Sequence, residues 1–206
     1  MPWCLISPKK EMLQGLIFVD CGKSASSTIS TIFRNAAEKI GAMHTPATFI
    51  RDHYPEEFKA YHKFAIMRNP YDRFVSFCLF HKDKFVGKNS EYFNKKIRLI
   101  RNYKRGVDNY EEYPGPIENL FCSEMITDEA GNIIVDQLIK YENLKQEIKA
   151  LVEGFKVPHV NVDELDTIRL QKTSEKKHWR TYYDEELWGM VQRYYSKDIE
   201  LWNNIK

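Results

Sequence analysis

The sequence predicts an α/β fold: a central, mainly parallel sheet flanked by helices, forming a single domain over residues 1–206. Three stretches carry that prediction. Leu16 to Val19 is a short, β-prone apolar run that gives way to a small-residue loop and then to an amphipathic helical pattern. Lys63-Phe-Ala-Ile-Met67 is a second such run, followed at once by Asn69-Pro70 and a broad apolar helical face. Ile133 to Leu144 repeats the order, a third strand running into a helix. Strands that alternate with helices favour parallel pairing, because each helix carries the chain back to the edge where the next strand starts.

Composition agrees with a folded core. Across 206 residues, 43% are hydrophobic and 14% aromatic, enough for one domain of ordinary size. A net charge of +2 is too small to imply a nucleic-acid partner. The four cysteines, Cys4, Cys21, Cys78 and Cys122, form no C-x-x-C pair and read as free thiols of a reducing compartment. No apolar stretch reaches bilayer length, and Pro8, Lys9 and Lys10 break the first apolar run too early for a signal peptide. A cytoplasmic protein without membrane contact is expected; the sequence does not indicate an assembly state.

Taken in order, Ile29, Ile32, Phe33, Ala36, Ala37 and Ile40 recur at helical spacing and predict a first helix that ends at Gly41. Ala42 to Pro46 is a short connection, with Pro46 opening another helix, and Tyr54-Pro55-Glu56-Glu57 restarts a helical turn. Asn69 is the expected N-cap of the next helix and Pro70 its first residue. Lys82 to Arg105 is basic and helical, either a solvated face or a surface for an acidic acceptor. Asp108 to Pro116 is an acidic loop, a lid or a plain connection. Thr127 to Asn132 is a turn, and Asn143 caps a helix whose buried face holds Leu144, Ile148, Leu151 and Val152. Val162 to His178 has no clear period, and Tyr182 to Asp198 closes the chain as a helix.

Chemistry concentrates after the first strand, in Asp20-Cys-Gly-Lys-Ser-Ala-Ser-Ser-Thr28. A strand, a hydroxyl-rich loop and a helix aim backbone N–H groups and the positive helix end at one point, where phosphate or sulfate fits. The loop is not the triphosphate cradle G-x-x-x-x-G-K-[ST]. That motif needs glycine at position 17, which is Ile17, and Gly15 comes two residues early. Instead, Lys23-Ser-Ala-Ser-Ser-Thr28 resembles the 5′-phosphosulfate loop of sulfotransferases, and its Ala-Ser-Ser variant is most similar to the loop of the heparan and uronyl 2-O-sulfotransferases. Gly22 stands where that family usually has proline, and Asp20 where many members have histidine.

A second motif supports the first. Arg68-Asn-Pro-Tyr-Asp-Arg-Phe-Val-Ser76 is similar, without a gap, to the family's 3′-phosphate motif R-[DN]-P-x-x-R-x-x-S. Val135 to Leu144 resembles the family segment V-D-x-[IL]-x-[RK]-x-E-N-L, Pro158 to Asn161 a loop that approaches the nucleotide, and Tyr182 to Asp198 the closing helix. The bland counterparts are an Arg68–Asp72 ion pair and a Ser76 hydroxyl bonded to its own helix backbone. Arg73 is assigned to a structural ion pair.

The resemblance implies a P-loop-like sulfotransferase fold and an enzyme that moves a sulfonate from 3′-phosphoadenosine-5′-phosphosulfate to an acceptor hydroxyl, on a carbohydrate or a small metabolite. The product would be adenosine 3′,5′-bisphosphate, and no metal would be needed. Lys23 would act as catalyst, and Lys23, Ser24, Ala25, Ser26, Ser27 and Thr28 would bind the 5′-phosphosulfate. Arg68 and Ser76 would hold the 3′-phosphate. The acceptor must lose a proton. Of the six histidines, His44 is the expected base, with His159 and then Asp20 as alternatives; none has metal-ligand spacing. Two rival functions remain in view: an ATP-dependent small-molecule kinase using Lys23, and a catalytically degenerate nucleotide- or glycan-binding member.

Overall fold

The computed structural model describes residues 2–6, 12–36, 38–80, 121–168 and 178–205, with backbone alone for 2–6, 38–43 and 80. In chain order its strands are β1 (Pro2–Ile6), β2 (Leu16–Val19), β3 (Glu38–Met43), β4 (His62–Met67) and β5 (Gln137–Lys140). They form one sheet in the order β3-β1-β2-β4-β5. The β2, β4 and β5 strands pair in parallel, with Phe18 beside Phe64 and Ile66 beside Ile139. At the other edge β1 runs antiparallel to both β2 and β3.

The helices are α1 (Ser26–Ile32), α2 (Ala47–His53), α3 (Pro55–Ala60), α4 (Pro70–Phe80), α5 (Cys122–Ile126), α6 (Leu144–Gly154), α7 (Glu164–Thr167), α8 (Glu185–Tyr194) and α9 (Ser196–Asn204). Short 3₁₀ turns at Tyr141–Asn143 and Trp179–Tyr182 complete the described elements. The basic run 82–105 and the acidic loop 108–116 lie outside the described residues, as do 169–177 of the stretch without clear period.

Strands β2 and β4 are apolar along both faces because both faces are covered. Leu16, Phe18, Phe64 and Ile66 point into one layer with Ile29, Ile32 and Phe33 around α1 and Ile148, Leu151 and Val152 of α6. Their alternates Ile17, Val19, Ala65 and Met67 enter the opposite layer with Ala47 and Ile50 of α2 and Cys122, Met125 and Ile126 of α5. A third cluster joins Phe74 and Phe77 of α4 to Leu187 and Val191 of α8 and to Tyr195. Each fully buried Leu, Ile or Phe contributes roughly 1.5–3 kcal/mol, so these clusters fix the sheet edge from which the loops project.

The first helix is shorter than its spacing predicts. It ends at Ile32, with Phe33 as its C-cap, and Glu38–Met43 is a strand rather than the helix's last turns. Phe33 and Ala36 do turn inward, as the helical pattern requires. Past them the backbone groups of 38–43 find their partners on β1, and Gly41, a poor helix residue, lies within the strand. Asn143 precedes α6 but makes no side-chain cap bond. The third parallel strand is confined to Gln137–Lys140, and Ile133 forms only an isolated bridge with Thr127. The Thr127–Asn132 turn holds, with Asp128 accepting from the backbone N–H of Ala130 and Asn132.

Candidate active site

Two loops leave the same edge of the parallel sheet, one after β2 and one after β4. That edge is where open α/β sheets bind ligands. The loop after β2 is held in an unusual backbone form. Gly22, Lys23 and Ala25 all have left-handed φ values, +56°, +56° and +69°. Left-handed backbone costs an ordinary residue about 1–2 kcal/mol, so it persists only where surrounding bonds fix it. Left-handed residues within such a turn can bring neighbouring N–H groups to one side, as in an anion nest. At seven residues, α1 adds little dipole of its own; the loop amides and Lys23 carry the positive potential.

Asp20 and Arg73 supply those bonds. Asp20, only 2% exposed, accepts the Gly22 N–H at 2.9 Å and the Ser26 hydroxyl, both on Oδ1. Its Oδ2 lies 3.0 Å from His44 Nδ1. Burial pushes the Asp20 carboxyl up, but His44, the Ser26 hydroxyl and the Gly22 N–H outweigh it and hold the group below the usual carboxylate range. Arg73 reaches the loop from α4: Nε donates to the Gly22 carbonyl at 3.0 Å and Nη2 to the Cys21 carbonyl at 2.6 Å. Its Nη1 sits 3.6 Å from Asp198, whose carboxylate also caps α5 by accepting from Cys122 N–H and Ser123 N–H. The structural ion pair expected of Arg73 is present, and its partner comes from α9.

Gly22 explains its own departure from proline. Proline's ring locks φ near −65°, which this turn does not use. A Cβ at Gly22 would also stand 3.2 Å from His44 Cε1 and 3.3 Å from Nδ1, so the imidazole lies against the bare backbone. His44 is itself left-handed at φ +57°, which swings the ring back over the loop from the end of β3.

The second motif meets the first directly. Asn69 caps α4 as expected, its Oδ1 accepting from Tyr71 N–H and Asp72 N–H. Arg68, at the end of β4, donates from Nε to Asp72 at 2.6 Å and from Nη1 to the Lys23 carbonyl at 3.4 Å. Its guanidinium lies over the Tyr141 ring, 4.7 Å from the centroid. The bland Arg68–Asp72 pair is thus real, and the same side chain also touches the loop. Ser76 is one turn beyond Asp72 on the same helical stripe and is half-buried.

The remaining expected residues divide by where their side chains go. Ser24 is buried and its hydroxyl turns back to the Gly22 carbonyl, while Ser26 is engaged by Asp20. Lys23, Ser27 and Thr28 are half-buried on the loop and first turn, and Ala25 contributes backbone alone. His159 is exposed beyond α6, and no contact among the described residues links it to Asp20 or Lys23. The three described cysteines are free thiols; contact with Cys122 and burial push the Cys21 thiol well up. Asp198 was invisible in the sequence as a site residue, because an acidic residue near a C-terminal helix gives no sign that it reaches under the loop.

A profile of the sulfotransferase family matches residues 13–203. The chain belongs to the sulfotransferase family. Searches of curated proteins and of solved structures find no match. The matched span takes in both loops, the parallel strands and all helices through most of α9. A sulfotransferase is a transferase of sulfonate to an acceptor, and the α/β sheet with helices on both faces is the architecture expected for one. Among the described residues, no helix is long and apolar enough to cross a membrane.

Proposed function

We propose that this sulfotransferase takes its sulfonate from 3′-phosphoadenosine-5′-phosphosulfate and passes it to a hydroxyl of a carbohydrate or small metabolite. The observation that supports this most is the bond from Arg68 Nη1 to the Lys23 carbonyl, which brings the two motifs together. A donor with an anion at each end of its adenosine needs two cation-bearing loops about one nucleotide apart. The left-handed loop and Lys23 suit the 5′-phosphosulfate, and Arg68 with Ser76 suits the 3′-phosphate, Arg68 as a charge-assisted donor.

The donor supplies a sulfonate on a good leaving phosphate. Lys23 and the loop N–H groups would neutralise charge growing on that phosphate. Arg68 would hold the far end so that attack is in line. His44, over Gly22, would take the acceptor's proton. A metal is not required in this scheme, because the transferred group carries less charge than a phosphoryl group.

Turnover tests it. The protein is incubated with sulfur-labelled donor and a panel of sugars and small hydroxyl compounds, with and without Mg²⁺. Metal-independent label transfer, inhibited by adenosine 3′,5′-bisphosphate, is expected. Protection by Mg-ATP with phosphoryl transfer would overturn the reading in favour of a kinase, and tight donor binding without transfer would indicate a degenerate member. His44→Ala should lower the rate about 10²- to 10⁴-fold while donor affinity stays in place.

A further inference from the structure

Asp20 divides its two oxygens between two tasks. Oδ1 accepts the loop's Gly22 N–H and the Ser26 hydroxyl, whereas Oδ2 faces only His44 Nδ1 at 3.0 Å. On the histidine side, Nδ1 is buried and closes no fully aligned hydrogen bond, so the 3.0 Å approach of Oδ2 is an ion-pair contact that engages it. Of the side chain, 24% remains exposed, so the ring's accessible surface lies on its other atoms. The ring rests against Gly22, with Nε2 3.7 Å from where a Cβ would be. That nitrogen is therefore at the lip of the loop that carries Lys23. Finally, His44 holds a strained left-handed backbone, and such strain collects where a side chain must be aimed.

We propose that Asp20 is a positioning residue for the transfer reaction: through Oδ2 it fixes the neutral His44 ring with its proton on Nδ1, so that Nε2 is the bare nitrogen presented to the acceptor hydroxyl. This rests on the transfer reading above and adds the residue that selects the tautomer. An imidazole has one donor and one acceptor nitrogen when neutral, and a carboxylate can only accept, so the proton must sit on Nδ1. During transfer the acceptor O–H bond breaks and its proton goes to Nε2. The acceptor oxygen bonds sulfur as the sulfur–oxygen bond to the 5′-phosphate breaks, releasing adenosine 3′,5′-bisphosphate. The imidazolium so formed carries its charge next to Asp20 in a buried, low-dielectric contact. Asp20 would thus serve a base supplied from the end of β3, with Gly22 leaving room for the ring.

The two oxygens can be tested separately. Asp20→Asn keeps a carbonyl oxygen for Gly22 and Ser26 but turns an NH₂ group toward Nδ1, which must then accept. The neutral ring is forced to carry its proton on Nε2 and can no longer act there as a base. Nitrogen-15 NMR of the ring, assigned by the signal missing in His44→Gln, is expected to show the Nδ1–H tautomer in the native protein and Nε2–H in Asp20→Asn. Alongside, kcat should fall about 10²- to 10⁴-fold while affinity for adenosine 3′,5′-bisphosphate is unchanged. An Nε2–H tautomer in the native protein overturns the proposal whether or not the variant folds. So does a variant in which kcat and nucleotide affinity fall together, since that marks a purely structural loop anchor. A native protein that transfers no sulfonate at all would instead refute the transfer reading, and the NMR tautomer would still decide the dyad.

Discussion

Replacing Arg73 by methionine removes the strut that ties the loop after β2 to the rest of the molecule. The side chain is only 4% exposed, so its bonds form in a low-dielectric setting. Two of them, to the Gly22 carbonyl at 3.0 Å and the Cys21 carbonyl at 2.6 Å, are charge-assisted, each worth about 1.5–3 kcal/mol. The third partner, Asp198, would keep its bonds to Cys122 N–H and Ser123 N–H but would lose its countercharge. Breaking a buried pair from one side costs about 3–5 kcal/mol, and methionine fills part of the volume without replacing any donor. The two figures overlap rather than add, because the cost of breaking the pair already counts groups left uncompensated. A net loss of about 4 kcal/mol is therefore expected, a large part of a typical total of about 5–15 kcal/mol. For a chain of this size that corresponds to a fall in Tm of roughly 8–16 °C. Urea unfolding of wild type and variant, followed by circular dichroism, gives the difference. Arg73→Lys should fall between them, because an ammonium keeps the charge but not the fork that spans two carbonyls. A loss below about 1 kcal/mol, the level of a surface ion pair, would refute the strut. So would full recovery by lysine.

The other outcomes concern the loop itself. Lys23→Ala should lower kcat by about 10²- to 10³-fold in a steady-state transfer assay, with circular dichroism unchanged; an unaltered kcat would remove Lys23 from the chemistry. Gly22→Pro, which restores the usual family residue, should destabilise the protein and reduce activity, because proline cannot adopt the positive φ found here; a variant as stable as wild type would contradict the described turn. Asp20 is held below the usual carboxylate range in the fold, so it adds stability above its unfolded pKa of about 4. That contribution is lost as pH falls through the lower folded value. Plots of stability against pH for wild type and Asp20→Asn should therefore run parallel above about pH 4 and converge below it, the variant being the flatter there; curves that stay parallel below about pH 4 would contradict the assignment.

Much of this arrangement was legible beforehand because local signals and tertiary demands agreed. Leu16 to Val19 and Lys63 to Met67 read as strands since both faces are buried and apolar. Asn69-Pro70 marked the start of α4 through cap chemistry that needs no distant partner. The structure-bearing role of Arg73 was also readable, but not Asp198, whose position under α5 depends on how the last helices fold back. The edge strands were the failure. Residues 38–43 carry helix-like spacing with 29–33, and only pairing with β1 decides for strand. The same gap hides the Asp20–His44 contact: the sequence offers His44 as a base from its place in the chain and Asp20 as an alternative base, with no sign that the two are neighbours. That relation exists because β3 pairs with β1 and ends where the left-handed His44 can turn over Gly22.

In the proposed enzyme, one nucleotide is gripped at its 5′ and 3′ phosphates by the loops after β2 and β4. Isothermal titration of adenosine 3′,5′-bisphosphate and of adenosine 5′-phosphate, each against wild type and Arg68→Met, isolates the grip on the 3′-phosphate. The bisphosphate should bind wild type about 10- to 100-fold more tightly than the monophosphate, one or two charge-assisted bonds' worth, and that advantage should vanish in Arg68→Met while monophosphate binding persists. Equal affinity of wild type for the two ligands, or an Arg68→Met variant that weakens both alike, would contradict it.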